Sequence, residues 1–184
     1  MIGRWDRGLH TLVGLLRDPI GATAVEFALI APVMIAVYFG AVEISSGFAV
    51  NRQVSLVTST AASLVAKQST ITTSQMSDYL SASTAIMSPY SATGITVTVS
   101  CLSITSGKAT VSWSKTLNGT ARAAGSTVSV PTAVSGNSKL LLSEVSYPYT
   151  PVVGYYITGS LTLSGTIYTT PRLTTAPTYN GTAC

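Results

Sequence analysis

The longest apolar run of the chain lies near its N-terminus and predicts a membrane-spanning helix. No charged side chain occurs in the 16 residues from Phe27 to Val42, and the mean hydropathy of the whole chain is +0.44. Sixteen helical residues extend about 24 Å, and the uncharged residues 22–25 lengthen the run toward the roughly 30 Å hydrocarbon layer of a bilayer. We therefore expect a transmembrane helix at residues 22–44, with a kink at Pro32 that membrane helices tolerate.

Beyond this segment, apolar residues recur at intervals of three and four and predict that the helix continues. The apolar stripe consists of Val50, Val54, Val57, Ala61 and Leu64. The opposite, polar face consists of Arg52, Gln53, Ser55, Thr58 and Ser59. Residues 45–67 are therefore expected to be an amphipathic extension, whose stripe packs on the chain's own sheet or on a neighbouring subunit.

A second, shorter helix is predicted at about Ser74 to Met87. Thr72 and Gln75 have the spacing of a capping box, in which each residue hydrogen-bonds the backbone of the other. The inner face of this helix would consist of Met76, Tyr79, Leu80, Ile86 and Met87. We interpret the methionines as core residues, since Met fills irregular gaps in hydrophobic cores.

From Ile95 onward the apolar period changes to two, which is typical of strands. "ITVTVS", "ATVSWSKT", "KLLLSEVSY" and "SLTLSGTIY" are the predicted strands, with Ser and Thr on the outward, solvated positions. Asn118-Gly119 and the segment Ser135–Asn137 have the residue types of turns. The predicted fold class is α+β: an N-terminal transmembrane helix continuing into an amphipathic helix, then a short helix and a mainly antiparallel sheet, with residues 68–184 forming the α+β domain.

The distribution of charge predicts the orientation in the membrane. Arg4, Arg7 and Arg17 precede the apolar run, whereas Arg52 is the only arginine in the twenty residues after Ile44. This bias places the N-terminus inside and the bulk of the chain outside. Residues 1–21 alternate arginines with short apolar patches, which is typical of a weak amphipathic leader on a membrane surface that ends near Pro19. The other cations are scattered, so no nucleic-acid interface is expected.

The residues after the apolar run offer little for catalysis or metal binding. The only histidine, His10, lies in the leader, and Asp78 and Glu144 are the only acids after Glu43. A Ser-His-Asp arrangement is therefore not available to the exported part, and a two-carboxylate site would need both acids in one cleft. Ser112 and Lys115 have the SxxK spacing, but they lie in a predicted strand without a companion motif. We expect no enzyme, cofactor or metal site.

The two cysteines, Cys101 and Cys184, are expected to pair if the second half of the chain is exported. Neither lies in a CxxC motif, and disulfides form in oxidising compartments. Closing a loop of this length would stabilise the fold by about 4–5 kcal/mol in the loop-entropy description. The alternative is that both are unrelated buried thiols.

Glu26 is a carboxylate where the apolar run begins, and it needs a partner. A charge at mid-membrane costs roughly 2.5–3.5 kcal/mol, and less at the edge. If the leader is cut after Gly21, Ala22 acquires an α-amino group that is protonated at neutral pH. Glu26 lies one helical turn further and can pair with this amine or with that of an adjacent subunit.

Several segments resemble a known family of pilus proteins. "GATAVEF", with Gly21 before the cut and Phe27 after Glu26, resembles the processing site of type IV prepilins. More narrowly, "RDPIGATAVEFALIAPVMI" resembles the opening of the TadE family of tight-adherence (Flp) pilus systems. "SEVSYPYTP" contains Glu144, Tyr147, Tyr149 and Pro151 and resembles the Glu-x-x-Tyr-x-Tyr-x-Pro segment of that family, and "YTTPR", with Pro171 and Arg172, its late Tyr-x-x-Pro-Arg. The terminal Cys184 also fits that pattern.

The resemblance implies a TadE-like or TadF-like minor pseudopilin or pilus-assembly protein, since TadG members are longer. A prepilin peptidase would remove residues 1–21, leaving a single-pass protein of the bacterial inner membrane with a periplasmic domain. Its implied partners are that peptidase, other pilins and pseudopilins, and the assembly platform. Major Flp pilins are far shorter and lack a large β domain, so the bulk filament subunit is not implied.

A second interpretation is an exported β-rich domain with an ordinary secretory signal and a structural or adhesive role. Residues 27–42 would then be the apolar region of the signal, with the cut near Ala49. This interpretation gives no role to Glu26. A start of the mature protein at Ala22 or near Val50 distinguishes the two.

Overall fold

The computed structural model describes residues 19–132, 136, 139–151 and 159–184. The predicted leader helix before Pro19 and the turn residues Ser135 and Asn137 lie outside the described residues. Helix α1 (Pro19–Ala66) runs through Pro32 and includes both the apolar segment and its extension. The chain divides into two compact units between Ser45 and Ser46, and each is described separately below. The predicted α+β class is confirmed by this long helix, a short helix and an antiparallel sheet.

In the first unit, α1 is apolar on all sides. Its large side chains are exposed, with exposed fractions between 44% at Phe39 and 72% at Phe27. A helix that is apolar all round has no polar face for water, and such helices are buried in a large core or in a membrane. Of the helices that the structure describes, the one covering Gly21–Ala66 is long and apolar enough to cross a bilayer.

In the second unit, the remainder of α1 packs through one face on a sheet. Val50, Val54, Val57 and Ala61 are buried as predicted. Two details of the prediction are wrong. Val65 is buried in place of Leu64, which is only half-buried, because the helix repeats every 3.6 residues and position 65 returns to the face of position 61. Thr58, assigned to the polar face, is 2% exposed, because its hydroxyl donates to the Val54 carbonyl and needs no water.

The second helix is confirmed close to its predicted position. Helix α2 (Thr73–Thr84) continues as a 3-10 turn (Ala85–Met87). The Thr72 hydroxyl accepts from the Gln75 backbone N–H, and the Gln75 side chain accepts from the Thr72 N–H, forming the predicted capping box. Met76, Leu80 and Met87 are buried in the core, and Tyr79 and Ile86 pack against it.

Four long antiparallel strands confirm the period-two segments. They are β2 (Thr96–Thr105), β3 (Lys108–Leu117), β5 (Lys139–Tyr149) and β6 (Leu161–Thr169). With β4 (Thr127–Val128) they form a sheet in the order β4-β3-β2-β5-β6. A tight turn at Ser106-Gly107, both with positive φ, joins β2 to β3. Glycine suits such a turn because it has no Cβ to clash.

Both faces of the central strand β2 are covered, which differs from the predicted solvated surface. Val97, Val99 and Cys101 face α1 and α2 in the main core. On the other face, a second cluster forms around Leu102, Leu140 and Leu142. The hydroxyls of this face satisfy each other: Thr98 Oγ1 lies 2.9 Å from Thr116 Oγ1, and Ser100 Oγ lies 2.8 Å from Ser114 Oγ. Paired hydroxyls can be buried without an unmet hydrogen bond.

A second, small sheet was not predicted. It contains β1 (Thr70–Ile71), β7 (Thr178–Tyr179) and β8 (Thr182–Ala183) in the order β1-β7-β8. Strand β7 pairs in parallel with β1, which follows α1 directly. Asn180 and Gly181, both at positive φ, form the turn between β7 and β8. Strands of two residues are too short to show a periodic pattern.

Candidate functional site

The residues predicted for leader cleavage lie in the exposed first turns of α1. Gly21 is half-exposed, and Ala22, Glu26 and Phe27 are exposed. Ala22 and Glu26 are four residues apart in a continuous helix and therefore lie on the same helical face. Glu26 is the only charged residue between Pro19 and Val42. None of the residues that the structure describes forms a salt bridge with it.

Among the described residues nothing pairs with Glu26, so its carboxylate could accept the cation that the predicted cleavage would create. An amine created at Ala22 would lie one turn before the carboxylate, within reach of a short side-chain contact. It would also place a positive charge at the N-terminal end of the helix, which the helix dipole disfavours. A nearby carboxylate would compensate both the positive amine and the partial positive charge of the helix N-terminus.

The "SEVSYPYTP" segment, Ser143–Pro151, covers the second half of β5 and the two residues after it, and its strand side chains point to both faces of the sheet. Tyr147 faces the core, is 9% exposed, and its hydroxyl donates to the Ser91 carbonyl at 3.0 Å. Tyr149 packs against the same core, and Pro151 is buried just after the strand. The Tyr147 hydrogen bond attaches the loop before β2 to β5, so the structure gives this segment a packing role in the domain.

Glu144 points to the opposite face, where it meets Arg122. The two guanidinium nitrogens Nε and Nη2 donate to Oε2 and Oε1 at 2.8 and 2.6 Å. The hydrogen bond from Glu144 raises the pKa of Arg122, although burial opposes it. Arg122 lies in the connection between β3 and β4, and its backbone N–H donates to Ser114 Oγ. The pair therefore ties this connection to the sheet.

The sequence did not identify Arg122 as the partner of Glu144, although the scarcity of acids indicated that Glu144 would pair with a cation. Glu144 is one of only two acids after Glu43, so a cation of the same domain was its natural partner. The identity of that cation could not be read from spacing, because 22 residues separate the two.

The late segment with Pro171 and Arg172 lies at the C-terminal end of α1. The Arg172 backbone N–H donates to the carbonyl of Ala66, the last residue of the helix, at 2.8 Å. This contact satisfies one of the carbonyls that a helix end leaves without an intrahelical partner. The Arg172 side chain is exposed.

The predicted cysteine pair forms a disulfide in the structure. Cys101 in the central strand β2 and Cys184 are joined across 83 residues, with their Cα atoms 5.6 Å apart. Both are nearly or fully buried, at 0% and 6% exposure. The disulfide attaches the segment after β6 to the middle of the main sheet.

The described side chains form no obvious centre for metal chemistry. Over residues 19–132, 136, 139–151 and 159–184, no three His, Cys, Asp or Glu side chains come together. Glu144 and Asp78, the two acids of the second unit, lie on different elements, β5 and α2. The predicted residues of the second unit instead make packing contacts around β5, hydrogen-bond the end of α1, or form the disulfide.

The N-terminal part of the chain is similar to a known protein family. Residues 21–63 match the family model described as TadE-like protein. The match begins at Gly21 and covers most of α1, so the resemblance found in the sequence is confirmed over this segment. It associates the chain with the assembly of tight-adherence pili. No curated protein and no solved structure matches the chain.

Proposed function

From the TadE-like character of residues 21–63, we propose that this chain is a minor pseudopilin or membrane-anchored assembly protein of a tight-adherence pilus. The observation that carries the proposal is the position of the match. It starts at the residue where a prepilin peptidase would cut and contains Glu26 and the apolar helix. An ordinary secretory signal would not explain why the cleavage position, Glu26 and the apolar helix occur together.

In the proposed maturation, a prepilin peptidase cuts between Gly21 and Ala22. The new amine of Ala22 then pairs with Glu26 of the same chain or of an adjacent subunit. Pairing lowers the cost of holding either charge at the edge of the hydrocarbon layer. The catalytic groups belong to the peptidase, and this chain acts as its substrate and as a structural component.

The proposed location is the bacterial inner membrane, with the N-terminus in the cytoplasm and residues 46–184 in the periplasm. Two observations support this orientation. Arginines are concentrated before the apolar segment. The second unit contains a buried disulfide, and disulfides persist in oxidising compartments. The proposed partners are other pilins or pseudopilins and proteins of the assembly platform.

Processing is tested by replacing Gly21 with Leu in cells that contain the matching peptidase. We expect the Gly21→Leu protein to stay at full length, because a branched side chain occupies the place where the enzyme needs bare backbone. Gly14→Leu is the matched control, since it makes the same change within the leader and should be processed normally. Equal trimming of both variants on immunoblots would contradict the proposal.

The role of Glu26 is tested separately by removing its charge. We expect Glu26→Ala and the closer replacement Glu26→Gln to insert at least as well as the parent, because an uncharged residue costs less in the membrane. Both should fail to support pilus assembly when pili are counted by electron microscopy. Glu43→Gln makes the same change at the other end of the apolar segment and should assemble. Normal piliation with Glu26→Gln would remove the pairing mechanism.

A further inference from the structure

The segment after β6, Thr170–Cys184, lies across the end of the second unit, and we call it the strap. It contacts the end of helix α1 through the Arg172 N–H and the Ala66 carbonyl. It then pairs with β1, where Thr178 N–H donates to Ser69 O and Asn180 N–H donates to Ile71 O, each at 2.9 Å. One short segment thus holds the helix end and the strand that follows it.

The strap also covers the single tryptophan of the described residues. Trp113, on β3, is 4% exposed, and its indole Nε1–H donates to the Pro177 carbonyl at 3.3 Å. Its ring centroid lies 5.6 Å from that of Tyr179. Lys139 donates to Ser103 Oγ and to the Cys184 carbonyl, next to the disulfide. The buried state of Trp113 therefore reports whether the strap is in place.

The noncovalent attachment of the strap consists of a few hydrogen bonds and the partly buried contacts of Ala176 and Tyr179. Its two strands have two residues each, and only Pro177 and Cys184 of its residues are buried. Two-residue strands bury little apolar surface, and short ladders of this kind are marginal in water. The disulfide to Cys101, in contrast, closes a loop whose ends are 83 residues apart and removes much of the freedom of the open segment.

We propose that oxidation of Cys101 and Cys184 is a switch that closes the strap over Trp113 and the end of α1. In the closing step, the two thiols lose two protons and two electrons and form one S–S bond. A disulfide of a thiol–disulfide exchange protein accepts them and becomes a dithiol. Before oxidation, the strap is largely open, while the main sheet and α1 remain packed. The domain is completed only on the oxidising side of a membrane.

The first test measures strap closure through Trp113 in the full chain. Trp5→Phe leaves Trp113 as the only tryptophan. We expect dithiothreitol, and independently Cys184→Ser, to shift its emission to longer wavelength and to increase quenching by acrylamide at least about threefold, because the indole becomes exposed. Thiol labelling must show that both cysteines are reduced. Unchanged emission in the fully reduced protein would overturn the proposal.

The second test separates opening of the strap from general unfolding. Trypsin is added at low concentration, and cleavage after Arg172 is compared with cleavage after Arg122, all samples being reduced after quenching. We expect Cys184→Ser to speed cleavage after Arg172 at least about tenfold and to leave cleavage after Arg122 unchanged. The loop entropy of the disulfide sets an upper limit of roughly a thousandfold on this acceleration. Equal acceleration at both sites, or at neither, would contradict a local switch. Dithiothreitol on folded wild-type protein gives the same comparison if the variant does not fold.

Discussion

The contact between α1 and β6 gives the sharpest test of the packing. Gly165 faces the helix, and a Cβ built on it would overlap Thr58 Oγ1 and lie 3.3 Å from Thr58 Cβ. Thr58 is buried, and its hydroxyl donates to the Val54 carbonyl at 2.7 Å, so moving the hydroxyl away would break this hydrogen bond. A single methyl group at position 165 should therefore strain the interface between helix and sheet.

The expected size follows from two opposing effects of Gly165→Ala. Overpacking of a core costs about 1–3 kcal/mol. Alanine is preferred to glycine within a strand by roughly 0.5–1 kcal/mol. We therefore expect a net loss of about 1–2 kcal/mol in the free energy of unfolding, measured by urea titration of the detergent-solubilised Trp5→Phe chain with Trp113 fluorescence as the signal.

Thr58→Ala supplies the matched control, because it removes Thr58 Oγ1, the atom that the new methyl group would overlap, and leaves only Cβ nearby. In that background Gly165→Ala should be neutral or stabilising, giving a coupling of about 1 kcal/mol or more between the two positions. If Gly165→Ala is as stable as the parent, or if its cost is the same with Ala at position 58, the close approach of β6 to α1 is refuted.

Three further changes test individual contacts by the same urea titration. Arg122→Ala should cost only about 0–1 kcal/mol, because the two side chains of the pair are 38% and 30% exposed, and added salt should shrink the difference; a loss of several kcal/mol would contradict the solvent-screened geometry. Thr72→Ala should cost about 1 kcal/mol by removing the capping box of α2, whereas Thr73→Ala should not. Tyr147→Phe should cost roughly 0.5–1.5 kcal/mol by leaving the Ser91 carbonyl without its donor, and an unchanged midpoint would show that water replaces it.

Elements with a long, regular pattern were predictable from the sequence. Helix α1, helix α2 and the four long strands each show several repeats of one period, and burial of one face requires that repetition. The capping box at Thr72 and Gln75 was also predictable, since both partners lie within one turn. These features depend on neighbours along the chain.

The features that were missed depend on distant partners. The sheet β1-β7-β8 joins residues more than one hundred positions apart, and its strands have two residues each. Thr98 and Ser100 resemble solvent-facing residues in the sequence, but hydroxyls on β3 pair with them under the β3–β4 connection. Thr58 is buried by a bond to its own helix. In each case a polar group is satisfied by a partner that hydrophobic patterning does not reveal.

The proposed processing site, in contrast, was predicted from a local sequence motif and not from contacts in the folded domain. Gly21, Ala22 and Glu26 have no described contact that would single them out, and their recognition came from a short motif at the start of an apolar run. Spacing along one helix was sufficient for this, because the acid and the proposed amine are one turn apart. The partners of the family-like segments, such as Arg122 for Glu144, required the folded domain.

The most direct test of the central claim is the intact mass of the protein purified from the cell envelopes of bacteria that carry the pilus system. We expect a chain that begins at Ala22 and is two mass units lighter than its reduced form because of the disulfide. A chain that still contains Met1, or one that begins near Val50, would contradict the proposed cleavage and with it the proposed pairing of Glu26.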